Sequence, residues 1–111
     1  MIEEVWHPRR IYLDFDGPFP RHFIQQLRAV ANITGLRVRW LRIDRTRHGW
    51  HVVIHWNIRL EPAEQVALQL ALGSDRRREC LNLKRVLSLN RHWSKTGAKY
   101  WNLLFSRKLK R

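Results

Sequence analysis

Residues 10–16 constrain the fold most, because their side chains alternate between the two sides of an extended chain. Ile11, Leu13 and Phe15 lie on one side. Tyr12, Asp14 and Asp16 lie on the other. A period of two is typical of a strand with one buried face. Gly17-Pro18 follows directly and ends the segment. The pattern therefore predicts a strand that carries two carboxylates on the face opposite its apolar side chains.

The remaining patterns predict further helices and strands in a definite order. Apolar spacing of three to four residues favours a helix, and alternation favours a strand. Gly35, Gly49 and Gly73 separate neighbouring segments. In chain order the predicted elements are a helix from Pro20 to Thr34, strands over residues 36–44 and 50–56, helices from Pro62 to Leu72 and from Asp75 to Leu87, and a strand over residues 100–109.

The same spacing predicts the buried side of each helix. Ser74 is a predicted N-cap, and Asp75 complements the dipole of the helix that follows. On that helix Arg77, Arg78, Lys84 and Arg85 are predicted to point outward. The predicted inward positions are Phe23, Leu27, Val30, Thr34 in the first helix, Ala63, Val66, Ala67, Leu70 in the second, and Cys80, Leu83, Leu87 in the third.

The order of the predicted elements indicates an α+β fold: a strand, a helix, two strands, a pair of helices and a last strand. With right-handed crossovers this order gives a ferredoxin-like or RRM-like βαββαβ domain, a four-stranded antiparallel sheet with helices on one face. The first and third strands are then adjacent and central, and the second sheet face is open. A slip in the alternation at Trp40-Leu41 predicts a bulge. We expect residues 1–111 to form one RRM-like domain with a basic C-terminal third.

Positive charge is large and unevenly distributed. The chain carries a formal net charge of +13; residues 71–111 hold twelve Lys/Arg against two acids, and residues 1–70 hold ten against seven. Such a surface favours a polyanion partner, because each neutralised phosphate releases condensed counterions. Six tryptophans and four phenylalanines accompany the charge, which a merely solvated basic tail does not need. The composition predicts a polyanion partner, and we expect this partner to be single-stranded DNA or RNA.

The predicted nucleic-acid contacts lie in a turn, in the last helix and in the C-terminal segment. Three consecutive arginines fall in the first turn of a helix, where free amides and side chains both meet phosphate; the alternative is a solvated helix face. The predicted contact residues are Arg47, His48, Arg76, Arg77, Arg78, Lys84, Arg85, Lys95, Lys99, Arg107 and Lys108.

Cysteine usage and hydropathy exclude several classes of protein. Cys80 is the single cysteine, so a disulfide framework and a thiolate metal cluster are ruled out. The acidic N-terminus lacks the apolar run of a secretory signal, and no stretch approaches the ~20 apolar residues of a membrane span. We expect no membrane partner and a cytoplasmic setting, either in the cell itself or in a host.

Asp14 and Asp16 form the strongest candidate for chemistry. Residues two apart on a strand emerge from one face roughly 7 Å apart, and two carboxylates there suit Mg²⁺ or Mn²⁺, which prefer oxygen ligands. His51, on the neighbouring strand and the same face, would donate a hydrogen bond to a phosphate held by that ion. The alternative for Asp16 is a plain turn role, because Asp-Gly is an ordinary turn signal.

Three segments resemble the archaeo-eukaryotic primase (primase-polymerase) superfamily. Residues 11–16, Ile-Tyr-Leu-Asp-Phe-Asp, are similar to its first motif, and residues 46–54, which hold Gly-Trp-His, are similar to its second. Residues 72–78 resemble a Gly-Ser-Asp-x-x-Arg stretch of small phage or plasmid relatives. The resemblance implies an RRM-like core, Asp14 and Asp16 as catalytic metal ligands, and His51 as a catalytic phosphate contact. The superfamily adds a third acid from a later strand, whereas residues 100–111 contain none.

These observations leave three hypotheses. The first is a nucleic-acid-binding protein with a primase-like core, an accessory replication factor of a virus, plasmid or other mobile element. The second is an active metal-dependent nucleotidyltransferase, primase or nuclease that uses Asp14 and Asp16. The third is a structural ribonucleoprotein component. A nucleotide and a larger replication protein are the further partners that the first two hypotheses imply.

Overall fold

The chain forms a small α+β domain with one antiparallel sheet. The computed structural model describes residues 7–91, and for residues 89–91 it describes the backbone alone. The elements are β1 (Arg10–Asp16), α1 (Phe23–Thr34), β2 (Val38–Arg45), β3 (Gly49–Trp56), α2 (Pro62–Ala71) and α3 (Arg76–Arg91). The strand predicted over residues 100–109, and with it Lys95, Lys99, Arg107 and Lys108, lies outside the described residues.

The three strands are ordered β1-β3-β2, and both pairings are antiparallel. The predicted adjacency of the first and third strands is confirmed, with Leu13 opposite Val52 and Asp14 opposite His51. The register of β2 against β3 shifts between Val38 and Trp40, which confirms the predicted irregularity there. Within residues 7–91, β3 is therefore the central strand and β1 and β2 are the two outer ones.

The main core lies between one face of the sheet and helices α1 and α2. Alternate side chains of β1 and β3 form this face, as their period of two predicts. Phe23 and Leu27 of α1 pack against it, and Gly35 ends the helix in the left-handed conformation at φ 77°. The other buried members of this core are Ile11, Leu13, Phe15, Val52, Ile54, Trp56, Leu60, Leu68 and Leu72.

Helix α2 buries polar side chains where the sequence pattern predicts alanine and leucine. A capping box between Glu61 and Glu64 begins the helix. Ala63, Ala67 and Leu70 are exposed, so their predicted inward position is wrong. The buried residues are Gln65, Val66, Leu68 and Gln69.

The two glutamines are buried because α2 runs beside the outer edge of β1. Gln69 Oε1 accepts a hydrogen bond from the Tyr12 N–H at 3.0 Å, and Gln65 Nε2 donates to the Arg10 carbonyl at 2.8 Å. Ser74 Oγ accepts the Asp14 N–H at 3.0 Å, and the Asp75 N–H donates to the Asp14 carbonyl at 2.7 Å. Side chains and one turn amide thus satisfy this edge in place of another strand.

A ferredoxin-like sheet pairs its fourth strand with its first at this edge. A strand there would have to replace the bonds from Gln65, Gln69 and Ser74. The fourth strand and the ferredoxin-like strand order stay predictions.

Helix α3 also presents a polar face inward. Ser74 is not its N-cap, because its hydroxyl is directed to β1; Asp75 Oδ2 instead accepts the Arg78 N–H at 3.2 Å. The predicted burial of Cys80, Leu83 and Leu87 is wrong, since all three are exposed. The buried side chains of α3 are Glu79, Asn82 and Val86.

Candidate nucleic-acid interface

The second sheet face is covered over β1 and β3, contrary to expectation, although its β2 residues are exposed. Asp14 is 1% exposed and His51 2%, and Tyr12 and Val53 beside them are equally buried. Asp16, two residues further along β1, is exposed. The predicted pair of carboxylates is therefore divided between the interior and the surface, although both belong to the same side of the strand.

The Asp14 carboxylate lies between an imidazole and a guanidinium group. His51 Nε2 is 3.2 Å from Asp14 Oδ1, and Arg78 Nε, contributed by α3, is 3.5 Å from Asp14 Oδ2. Burial lowers the pKa of Arg78, and the negative charge of Asp14 opposes that shift. The arginine is thus held beside a buried acid, so its predicted outward direction is wrong.

This arrangement does not favour a divalent cation at Asp14. A guanidinium group already neutralises the carboxylate, and a metal ion beside it would face like-charge repulsion. Within residues 7–88, no group of three or more His, Cys, Asp or Glu side chains comes together to hold a metal. The Mg²⁺ or Mn²⁺ site and the catalytic roles of Asp14, Asp16 and His51 stay predictions.

A second buried acid, Glu79, joins α2, α3 and the turn between them. Its carboxylate accepts hydrogen bonds from Gln69 Nε2 at 2.6 Å, Ser74 Oγ at 2.7 Å and Asn82 Nδ2 at 3.2 Å. Burial raises the pKa of Glu79, and the three hydrogen bonds oppose the shift. Sequence reasoning missed this network, although Gln65 and Gln69 share one helix face at a spacing of four.

Most of the exposed basic residues fall into two groups, one on the outer strand β2 with the turn after it and one on α3. Seven of the eight residues of β2 are exposed, including Arg39, Arg42 and Arg45. Arg42 Nε pairs with Asp44 Oδ2 at 2.8 Å across the same strand face. We define the β2 surface as this exposed strand together with Arg37, which directly precedes it.

Trp40 on the β2 surface is held in an aromatic and cationic stack. Its ring is 5.2 Å from the His55 ring with an interplanar angle of 17°, and the Arg10 guanidinium lies 5.2 Å from the Trp40 ring centre. Arg10 Nε donates to His55 Nδ1 at 3.1 Å. Burial, followed by the positive charge of Arg10, lowers the pKa of His55. Both effects keep the imidazole neutral, as an acceptor must be.

Arg47 and His48 line a cleft at the β2–β3 turn. The cleft has a volume of about 400 Å³ and is lined by residues 17–19 and 45–50. The Arg45 guanidinium lies 5.3 Å from the Trp50 ring centre, and the Phe19 ring meets Trp50 edge-on at 5.5 Å. Two of the predicted nucleic-acid contacts are therefore brought together, next to aromatic rings that the sequence analysis did not assign.

The predicted contacts on α3 divide into two groups. Arg76, Arg77, Lys84 and Arg85 are exposed, as predicted. Arg85 Nη1 also donates to Asn82 Oδ1 at 3.1 Å. Arg78 is directed to Asp14 instead.

No family model, curated protein or solved structure matches this chain. The similarity to the primase superfamily therefore stays a prediction from its motifs. No helix in the described range is both long and apolar enough to cross a bilayer.

Proposed function

We propose that this chain is a single-stranded nucleic-acid-binding protein. The observation that carries the proposal is the imbalance of charge at the surface. Within residues 7–88, twelve Lys/Arg side chains are exposed against four acidic ones. A surface of this composition attracts phosphates and releases their counterions on binding.

Three acids near the sheet do not oppose this attraction, whereas Asp16 at the end of β1 is exposed. Asp14 and Glu79 are buried and neutralised or hydrogen-bonded within the protein, and Asp44 is paired with Arg42. The positive field of β2 and α3 therefore meets a polyanion without strong competition from these three carboxylates.

The β2 surface favours a single strand over a duplex as ligand. Trp40 is exposed on the same face of β2 as Arg42, and flexible single strands stack their bases on aromatic side chains while their phosphates meet the cations. A role as an accessory replication factor with a primase-like, ferredoxin-like core rests on the motif resemblance. Of the alternatives, the metal-dependent enzyme is the one that the contacts of Asp14 disfavour.

The test is fluorescence anisotropy with labelled oligo-dT, oligo-rU and a duplex of equal length. Affinity for the single strands should fall by 10³-fold or more between about 50 and 200 mM salt. Comparing dT with rU separates a DNA factor from a ribonucleoprotein component. Absence of salt-dependent binding to both single strands would refute the proposal.

A matched pair of variants locates the interface. Arg37→Gln with Arg39→Gln removes two charges from the β2 surface, and Arg21→Gln with Arg28→Gln removes two exposed charges near and on α1. We expect the first pair to weaken binding more and to lower the salt slope by about 2. Equal loss in both pairs would show that the β2 surface is not the interface.

A further inference from the structure

We propose that the cleft at the β2–β3 turn binds one nucleotide unit, its phosphate on Arg45 and Arg47 and its base against Trp50 and Phe19. This inference names the ligand of one site within the proposed function and rests on it for the ligand class. The same unit reaches the cleft either as a free nucleotide or as part of a strand.

Hydrogen bonds hold the backbone around the cleft in a defined conformation. The Gly17 N–H donates to the His48 carbonyl at 2.7 Å, which joins the end of β1 to the turn. Within the turn, the Thr46 N–H donates to the Gly49 carbonyl at 2.8 Å, and the Gly49 N–H donates to Thr46 Oγ1 at 3.0 Å. These bonds fix the backbone that carries Arg45, Arg47 and Trp50.

Gly49 shows how closely the two segments approach. A Cβ atom at this position would overlap the backbone carbonyl of Phe15. The turn therefore sits directly against the end of β1.

One wall of the cleft is aromatic and anchored in the core. Phe19 meets Trp50 at 5.5 Å, Phe23 at 5.4 Å and Phe15 at 5.9 Å, each edge-to-face. Phe15 and Phe23 are buried members of the main core. The rings that line the cleft are thus held in place before any ligand arrives, as a stacking site for a base requires.

The charge of the lining is positive. Arg45 and Arg47 are exposed guanidinium groups, and the residues that line the cleft include no acid. Guanidinium groups bind phosphate through paired hydrogen bonds and also stack on rings. Arg45 already lies over Trp50, so this residue contributes both to the phosphate-binding part of the cleft and to the part that holds the base. A volume of about 400 Å³ falls within the range of small-ligand sites.

The experiment titrates the 111-residue chain with AMP, adenosine and inorganic phosphate by calorimetry, and with labelled oligo-dT by anisotropy. The variant is Arg47→Gln, which changes an exposed side chain, and the control is Arg28→Gln, which removes the same charge from α1. Phe19→Leu removes one ring, and its circular dichroism spectrum and unfolding midpoint are compared with wild type before binding is interpreted.

We expect Arg47→Gln to weaken AMP binding about tenfold and to leave adenosine binding unchanged, because the lost contact is to phosphate. Phe19→Leu should weaken AMP and adenosine alike. If oligo-dT binding falls with AMP binding, the cleft accepts a unit within a strand; if AMP binding alone falls, the cleft accepts free nucleotides. Either result supports the inference.

The outcomes that overturn the two proposals differ. Wild-type binding of oligo-dT without AMP binding, and with equal effects of Arg47→Gln and Arg28→Gln, refutes the cleft while the proposed function stands. AMP binding that depends on Arg47, without salt-dependent binding of the oligonucleotide, refutes the proposed function and leaves a nucleotide site. Binding of inorganic phosphate as tightly as AMP would refute a role for the aromatic wall.

Discussion

The substitution Gln69→Ala tests how the outer edge of β1 is stabilised. It removes the acceptor of the Tyr12 N–H and one donor to the Glu79 carboxylate. Gln69 is completely buried and lies within α2, so water does not readily replace it. Alanine is a strong helix former, and the change therefore adds no cost from helix propensity.

The magnitude follows from the groups left without a partner. An unsatisfied buried polar group costs about 1–3 kcal/mol, and a lost hydrogen bond to a charged group costs a similar amount. Truncation to alanine also leaves a cavity. We expect the free energy of unfolding to fall by about 3–5 kcal/mol, a large part of the ~5–15 kcal/mol of a typical domain.

Urea denaturation followed by far-ultraviolet circular dichroism measures the loss. The control is Gln26→Ala, which removes an exposed glutamine that donates to the Ala71 carbonyl at 2.8 Å; its expected cost is about 1 kcal/mol or less. Equal, small effects of the two substitutions would refute the reasoning.

A second substitution at the same position separates packing from charge. Gln69→Glu keeps an oxygen for the Tyr12 N–H but places a carboxylate against Glu79. Two buried carboxylates in contact raise the pKa of the pair, so the folded state binds more protons than the unfolded state. The variant should therefore be less stable than wild type at neutral pH and recover toward it as the pH falls through the raised pKa of the pair toward the ordinary glutamate value of about 4.3. A deficit independent of pH would contradict this account.

Three further predictions concern other parts of the fold. Arg78→Leu removes the positive charge beside the buried Asp14 carboxylate and should lower the free energy of unfolding, measured by urea denaturation, by about 3–5 kcal/mol. The double variant with Asp14→Asn should regain most of this loss. No recovery would contradict the ion pair. The pKa of His55 is lowered from its ordinary 6.5, so its neutral form stabilises the fold, and this contribution is lost as the pH falls below 6.5. His55→Gln should therefore reduce the change in the thermal unfolding midpoint between about pH 7.5 and 5. Gly49→Ala places a Cβ against the Phe15 carbonyl and should cost about 3 kcal/mol, whereas a thermal midpoint equal to that of wild type would contradict the close approach.

Alternation along the chain was sufficient to predict the three strands that the structure describes. Ile11, Leu13 and Phe15 lie in the core as their spacing predicts, and β1 pairs with β3. These predictions succeed because burial of apolar area on one face decides the register of a strand.

The faces of α2 and α3 could not be predicted from apolar spacing. Gln65, Gln69 and Glu79 are buried because backbone groups at the edge of β1 and the donors around them need partners, and periodicity measures only hydrophobic character. A polar residue that recurs at helical spacing was the signal available. The leucines of α3 face outward for the same reason.

The candidate site was predicted in part. Arg47 and His48 line the cleft at the turn, because a turn exposes its side chains. Arg78 belongs to the same arginine run as its neighbours, and only the tertiary fold shows that it is directed to Asp14. Whether the second sheet face is exposed depends on which helices cover it. Local sequence patterns do not predict this.

The polar covering of β1 has a consequence for self-association. A sheet grows from copy to copy only if every copy has two edge strands with unpaired backbone groups. Here the backbone of β1 at Arg10, Tyr12 and Asp14 is already committed to side chains and a turn amide, and within residues 7–91 β2 has β3 as its one neighbour. In two copies that meet through β2, the edges left over within residues 7–91 would be those of β1, whose backbone groups are already bonded, so we expect assembly by this route to end at a pair.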